Sequence, residues 1–155
     1  MIRIVDTLWI AASPERVFRH AADVERWPAI LPHYRSVRMR SSGAPGTSIV
    51  EMVADRPFGP FNWPTWWVSE MRVTPAQRTV RYRHIEGITR GMEVLWSVEP
   101  EGTGTRASIV HEWSGPAWPL IRWLAGRWVI MPVFVHGIAS RTLAGIARAS
   151  EASDG

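Results

Sequence analysis

The chain is 155 residues long, which is room for one domain able to bury roughly two-thirds of its unfolded surface. Charged residues make up 21% of it, more than a membrane-embedded chain carries and fewer than a disordered tail needs. The formal net charge is +4, but every Lys/Arg position is Arg and these are scattered, which argues against a phosphate-tracking surface and hence against nucleic acid, while the absence of Cys excludes disulfides, thiol catalysis and thiolate metal sites.

In chain order, Ile2, Ile4, Leu8 and Ile10 alternate as in a half-buried strand over residues 2–11. No charged leader precedes an apolar run, so a cytoplasmic location is the default expectation. Ser13, Pro14 and Glu15 then make a helix start: Ser caps, Pro suits the first helical position, and Glu favours the positive helix end. This helix is expected to reach about His20, and Asp23 offers a cap to a second short helix near Trp27 and Pro28. Between residues 34 and 113, six strands of period two are separated by turn residues at 41–46, 56–62, 74–78, 86–90 and 100–104, an antiparallel meander. After Gly115 and Pro116 the chain reads as helical from about 118 to 149, kinked or divided at Pro132. Val135, Ile138, Ala139, Thr142 and Ile146 share one mostly apolar face of that helix. Residues 120–139 raise a membrane span, but Arg122, Arg127 and His136 cut them into runs too short for a bilayer, and a buried helix is expected instead.

Register follows from the turns, because a one-residue slip would send every side chain to the wrong face. Pairing Val98 with Ala107 sets Trp96 against Ile109, Val94 against His111 and Met92 against Trp113. Pairing His84 with Met92 brings Tyr82 and Val80 to the same face and turns Arg81 and Arg83 to solvent; Val80 opposite Val73 adds Met71, Ser69 and Trp67. The inner face is then Trp67, Ser69, Met71, Tyr82, His84, Met92, Val94, Trp96, Ile109, His111 and Trp113, aromatic and sparsely polar as small-molecule pockets are. Ten Trp against two Tyr fits such a lining, since indole is seldom needed in that number to fill a small core. The α+β fold that satisfies these faces is a seven-stranded curved antiparallel sheet with two short helices and a long C-terminal helix across it, enclosing a cavity.

His84 and His111 fall on neighbouring inner rows, diagonal to one another, and burial would leave both imidazoles neutral and able to act as base or hydrogen-bond partner. Core histidines bonded to Tyr82, Ser69 or a buried water account for the same placement. Only Glu51, Glu112 or His136 could join them around a metal, too few for a zinc site, so no metal and no cofactor is expected. His20 and His33 read as surface residues. The 56–62 connection is placed at the cavity mouth, together with the 86–90 turn and the 114–119 connection. It is unusually apolar for a turn, which suits a lid, a dimer contact or transient membrane contact through residues 58–67.

Several stretches carry a resemblance: Ala12-Ser-Pro-Glu-Arg-Val-Phe, Asp23-Val-Glu-Arg-Trp-Pro-Ala-Ile-Leu-Pro-His-Tyr, Trp67-Val-Ser and the long closing helix. Together they resemble the START-like superfamily of helix-grip proteins (SRPBCC), in particular the bacterial polyketide cyclase/dehydrase and coenzyme Q-binding branch, over nearly the whole chain. The resemblance implies a single ligand-binding domain over 1–150 with a short tail after it. It also implies Trp27 and Tyr34 on the cavity wall near the mouth, and Trp67 and Ser69 on the pocket strand. In aromatase/cyclases an Arg commonly stands two residues after that Ser; here the position is Met71, which counts against cyclase chemistry. The expected ligand contacts are thus Trp27, Leu31, Tyr34, the inner-face residues above, and Phe134 and Ile138 on the closing helix. Three functions stand: binding of a hydrophobic or aromatic molecule (polyketide, quinone or lipid); cyclase/dehydrase chemistry with His84, His111 and Ser69 as the polar groups; or a membrane-associated lipid-transfer or partner protein that dips residues 58–67 and the basic surface into lipid.

Overall fold

A computed structural model describes residues 1–42, 44–58, 61–115 and 135–152. The strands are β1 (Ile2–Ile10), β2 (Tyr34–Ser42), β3 (Thr47–Phe58), β4 (Phe61–Thr74), β5 (Thr79–Gly87), β6 (Glu93–Glu101) and β7 (Gly104–Trp113). They form one antiparallel sheet in the order β1-β7-β6-β5-β4-β3-β2, so the chain's first strand closes one edge beside its last. Helices α1 (Pro14–Ala22), α2 (Trp27–Ile30) and α3 (His136–Ala152) complete it.

Local chemistry explains the helix starts. The Ser13 side chain accepts a hydrogen bond from the Arg16 amide at 3.3 Å, and Pro14 opens α1, whose buried face is Val17 and Ala21. Asp23 does not cap a second helix as expected: its side chain makes no capping bond, and a 3-10 turn at Val24–Arg26 runs into α2. Trp27, at the start of α2, is buried and donates from Nε1 to the His20 carbonyl at 3.0 Å, which fixes α2 against α1.

The registers Val98 to Ala107, Trp96 to Ile109, Val94 to His111, Tyr82 to Val94, Val73 to Val80, Met71 to Tyr82 and Ser69 to His84 all occur as the alternation requires. Past His84 the pairing shifts: Val68 faces Glu86 and Trp67 faces Gly87, leaving Ile85 as an extra residue in β5. Gly87 has φ +101°, and a Cβ there would lie 2.6 Å from the Trp66 carbonyl oxygen, so only glycine lets the strands approach this closely. Within the expected loop at 56–62 the described residues are strand: β3 continues to Phe58 and β4 begins at Phe61, with those two residues paired.

Across the concave face lies α3, which contacts β1, β3, α1 and α2. It buries Ala139, Thr142, Leu143, Ile146 and Ala147, the periodicity expected of an amphipathic helix. The expected helical stretch before it, with Pro132 and Phe134, lies outside the described residues. The helix runs on through Glu151, whose carboxylate accepts from the Ala11 amide at 3.1 Å. Among the described residues no helix is long and apolar enough to cross a membrane.

Candidate ligand-binding site

Between α3 and the sheet lies a cavity of about 70 Å³. Its sheet-side wall is Met52, Thr65, Trp67, Tyr82, His84, Met92, Val94, Trp96, Ile109 and His111, with Thr89 from the β5–β6 turn. Trp27 and Tyr34 close one side, and Val135, Ile138, Ala139 and Thr142 form the roof.

Five rings run in contact around it. Trp96 meets Trp27 with centroids 5.8 Å apart, Trp27 meets Tyr34 edge-on at 5.1 Å, and Tyr34 meets Trp67 edge-on at 6.2 Å. Trp67 stacks on His84 at 5.8 Å and 9°. Three of these four contacts are edge-on or stacked and the Trp27–Trp96 pair is tilted at 46°, so each ring restrains its neighbour. His84 is fixed from the other side by Thr89, whose Oγ1 lies 2.6 Å from Nδ1. Turning Thr89 inward leaves its neighbours Ile88 and Arg90 outward, which is why an isoleucine stands exposed at that turn.

The polar groups on the wall are uncharged at neutral pH. Burial lowers the His84 pKa to about 3, with His111 adding to the shift, and burial alone lowers His111 to about 4. Burial raises both phenols, Tyr82 with a further push from Tyr34 and Tyr34 with a partial offset from its bond to Thr142. Three wall atoms have no hydrogen-bond partner among the described residues: Thr65 Oγ1, Tyr82 OH and His111 Nδ1.

Of the expected contacts, Trp27, Tyr34, Trp67, Tyr82, His84, Met92, Val94, Trp96, Ile109, His111 and Ile138 meet at this cavity. Leu31, Ser69, Met71 and Trp113 are buried beside it without reaching its surface. Leu31 packs into the space that a Cβ on Gly145 of α3 would fill. Ser69 is 0% exposed, paired with His84 across the sheet and two residues along β4 from Trp67. Trp113 stands behind the β5–β6 turn and donates from Nε1 to the Arg90 carbonyl at 3.0 Å. Phe134 lies outside the described residues.

His33, expected at the surface, is only 9% exposed. Its Nε2 lies 3.0 Å from Thr142 Oγ1, whose hydroxyl is spent on the Ile138 carbonyl at 2.7 Å, so His33 donates. Burial, with help from Arg141 and Arg148, lowers its pKa to about 4. The residues considered beside the histidines for a metal are otherwise engaged: Glu51 with Arg40, Glu112 with Arg3, and His136 with Asp6 at 2.5 Å.

Met52, Thr65, Thr89, Val135, Ala139 and Thr142 are wall residues that the inner-face reading left out. Carrying the register one strand further would have found Met52, which pairs with Trp67, and a two-residue step from Trp67 would have found Thr65. The apolar face of the helix already contained Val135, Ala139 and Thr142. No periodic signal marks Thr89.

Residues 1–151 match the profile of a family described as polyketide cyclase/dehydrase and lipid transport. Among solved structures, a protein from Thermus thermophilus superposes with a TM-score of 0.82 at 22% identity, covering 99% of this chain and 100% of that one. The Zhui aromatase/cyclase from a Streptomyces species gives 0.77 at 21% identity, with 99% and 98% covered. A START superfamily protein from Mycobacterium smegmatis gives 0.66 at 17%, with 94% and 97% covered. At these identities the structures share the fold.

Proposed function

The chain belongs to the polyketide cyclase/dehydrase and lipid transport family, and from that premise we propose that it binds a hydrophobic or aromatic small molecule between the sheet and α3. The observation that carries this reading is the chain of five touching rings around a mostly apolar cavity with a few polar groups, the lining that suits a hydrophobic organic ligand. Polyketides, quinones and lipids fit that description. The space is small beside the roughly 300–1,000 Å³ of drug-sized sites, so seating such a ligand requires wall side chains to swing aside. Met52 and Met92, unbranched and adaptable, are suited to give way.

A second reading, cyclase or dehydrase chemistry, is favoured by one observation: His84 and His111 both line the same cavity as neutral imidazoles able to hydrogen-bond and orient a bound carbonyl compound. This reading leaves out Ser69, which is 0% exposed.

Native mass spectrometry of protein purified from its own host tests the first reading, with a co-purified apolar molecule expected. Titration of quinones and polycyclic aromatics against Trp fluorescence follows, and absence of both a bound molecule and any saturable quenching would overturn it. The second reading expects His84→Ala and His111→Ala to lose turnover of a ring-closing substrate while keeping binding within about tenfold, the scale of one hydrogen bond. Unchanged turnover in both variants rejects it.

A further inference from the structure

Tyr82 and His111 lie on one cross-strand row of the sheet, each paired with Val94 between them. Two strand spacings separate their Cα atoms by roughly 10 Å. Valine is the smallest side chain of the three, so the row is low in the middle and polar at both ends. The residues Tyr82 and His111 both line the cavity, and neither Tyr82 OH nor His111 Nδ1, each a buried atom, has a partner among the described residues. Buried polar groups are normally bonded, and two orphans at the ends of one row mark the places where a ligand's own polar atoms would sit.

We propose that Tyr82 and His111 are specificity-determining residues that together grip an uncharged flat ligand bearing an oxygen at each end, and that the site rejects carboxylates. This rests on the reading of the cavity as a ligand site. Hydroxyl or carbonyl oxygens complete both orphans, since a phenol donates or accepts and a neutral imidazole nitrogen does the same. A carboxylate finds no compensating charge: among the described residues no Arg, Asp or Glu lines the cavity, and the two histidines there stay unprotonated at neutral pH. Stripping water from an anion without a cation to receive it is far costlier than burying a hydroxyl. Thr65, the third unpartnered group, stands two residues along β4 from Trp67, apart from this row.

Four matched probes separate this from the parent reading: naphthalene, a naphthol, a dihydroxynaphthalene with its hydroxyls at opposite ends, and the corresponding hydroxynaphthoate, each titrated against Trp fluorescence at pH 7. Each hydrogen bond gained is expected to tighten binding by about two- to tenfold, giving the order naphthalene, naphthol, dihydroxynaphthalene. The hydroxynaphthoate is expected to bind at least about tenfold more weakly than the naphthol. Tyr82→Phe should erase the advantage of the second hydroxyl, so that the dihydroxynaphthalene binds no more tightly than the naphthol. It should also leave the melting temperature of the ligand-free protein unchanged or higher, because no described group loses a bond. Equal binding of naphthoate and naphthol, an undiminished second-hydroxyl advantage in Tyr82→Phe, or a marked fall in its melting temperature overturns the proposal. Failure of all four probes, naphthalene included, instead removes the ligand-site reading beneath it.

Discussion

At the scale of single residues, the site depends on side chains that hold one another still. Thr89 is the clearest case, because its hydroxyl is what His84 Nδ1 meets at 2.6 Å while Trp67 covers the ring face. Thr89→Val keeps the shape and removes the partner. A buried nitrogen left unsatisfied costs about 1–3 kcal/mol, so the urea midpoint should fall accordingly, and an unchanged midpoint would show that the bond contributes nothing. Ser69 shows what a sequence does and does not disclose at this scale. Alternation places it inward between Trp67 and Met71, and inward it is, at 0% exposure. Depth is another matter: parity carries no information about height above a sheet.

The elements themselves were far more legible. Period-two runs bounded by Gly, Pro and Asn fix strand parity, and two hairpins that must agree on one face leave a single register. Two features escaped that logic. Residues 56–62 read as a turn, yet β3 runs to Phe58 and β4 starts at Phe61, with Pro57 paired with Asn62 and Asp55 with Pro64. The extra residue at Ile85 was equally hidden, since Trp67 keeps its inward face across the shift. Gly87 is where that shift can be tested. Gly87→Ala forces an L residue into φ +101° and sets its Cβ 2.6 Å from the Trp66 carbonyl oxygen. The strain alone costs about 1–3 kcal/mol, and relieving the clash must push β4 away and unseat Trp67 from His84. The expected result is a lower melting temperature together with weaker aromatic-ligand quenching; a variant with both properties intact would show that the close approach is unnecessary.

For the molecule as a whole, the sheet half of the site follows from local pattern, whereas the roof follows from where α3 crosses the sheet, which no window of residues contains. His33 makes the point, being buried by Thr142, a residue 109 positions further along the chain. That same long-range burial sets the protein's response to acid. His33, His84 and His111 have pKa values lowered to about 4, about 3 and about 4, each chiefly because burial penalises the charged ring. His20 shifts in the same direction through its own burial and then Arg19, Arg26 and Arg16. In the unfolded chain these rings titrate near 6.5. Above that value both states are neutral and stability is independent of the histidines. As pH falls through the window from about 6.5 to about 4, the unfolded state takes up protons that the folded state refuses, so unfolding becomes more favourable with each step down. Between about pH 6.5 and 5 most carboxylates are still ionised, which isolates the histidine contribution. The urea midpoint should therefore be flat above pH 7 and fall steadily below 6.5, with unfolding taking up close to three protons. His33→Gln, which keeps a donor for Thr142, should remove about one of those protons and flatten the slope in proportion. A midpoint that stays level from pH 7 to 5 would mean that the imidazoles are solvated in the folded chain, those of His84 and His111 on the cavity wall included.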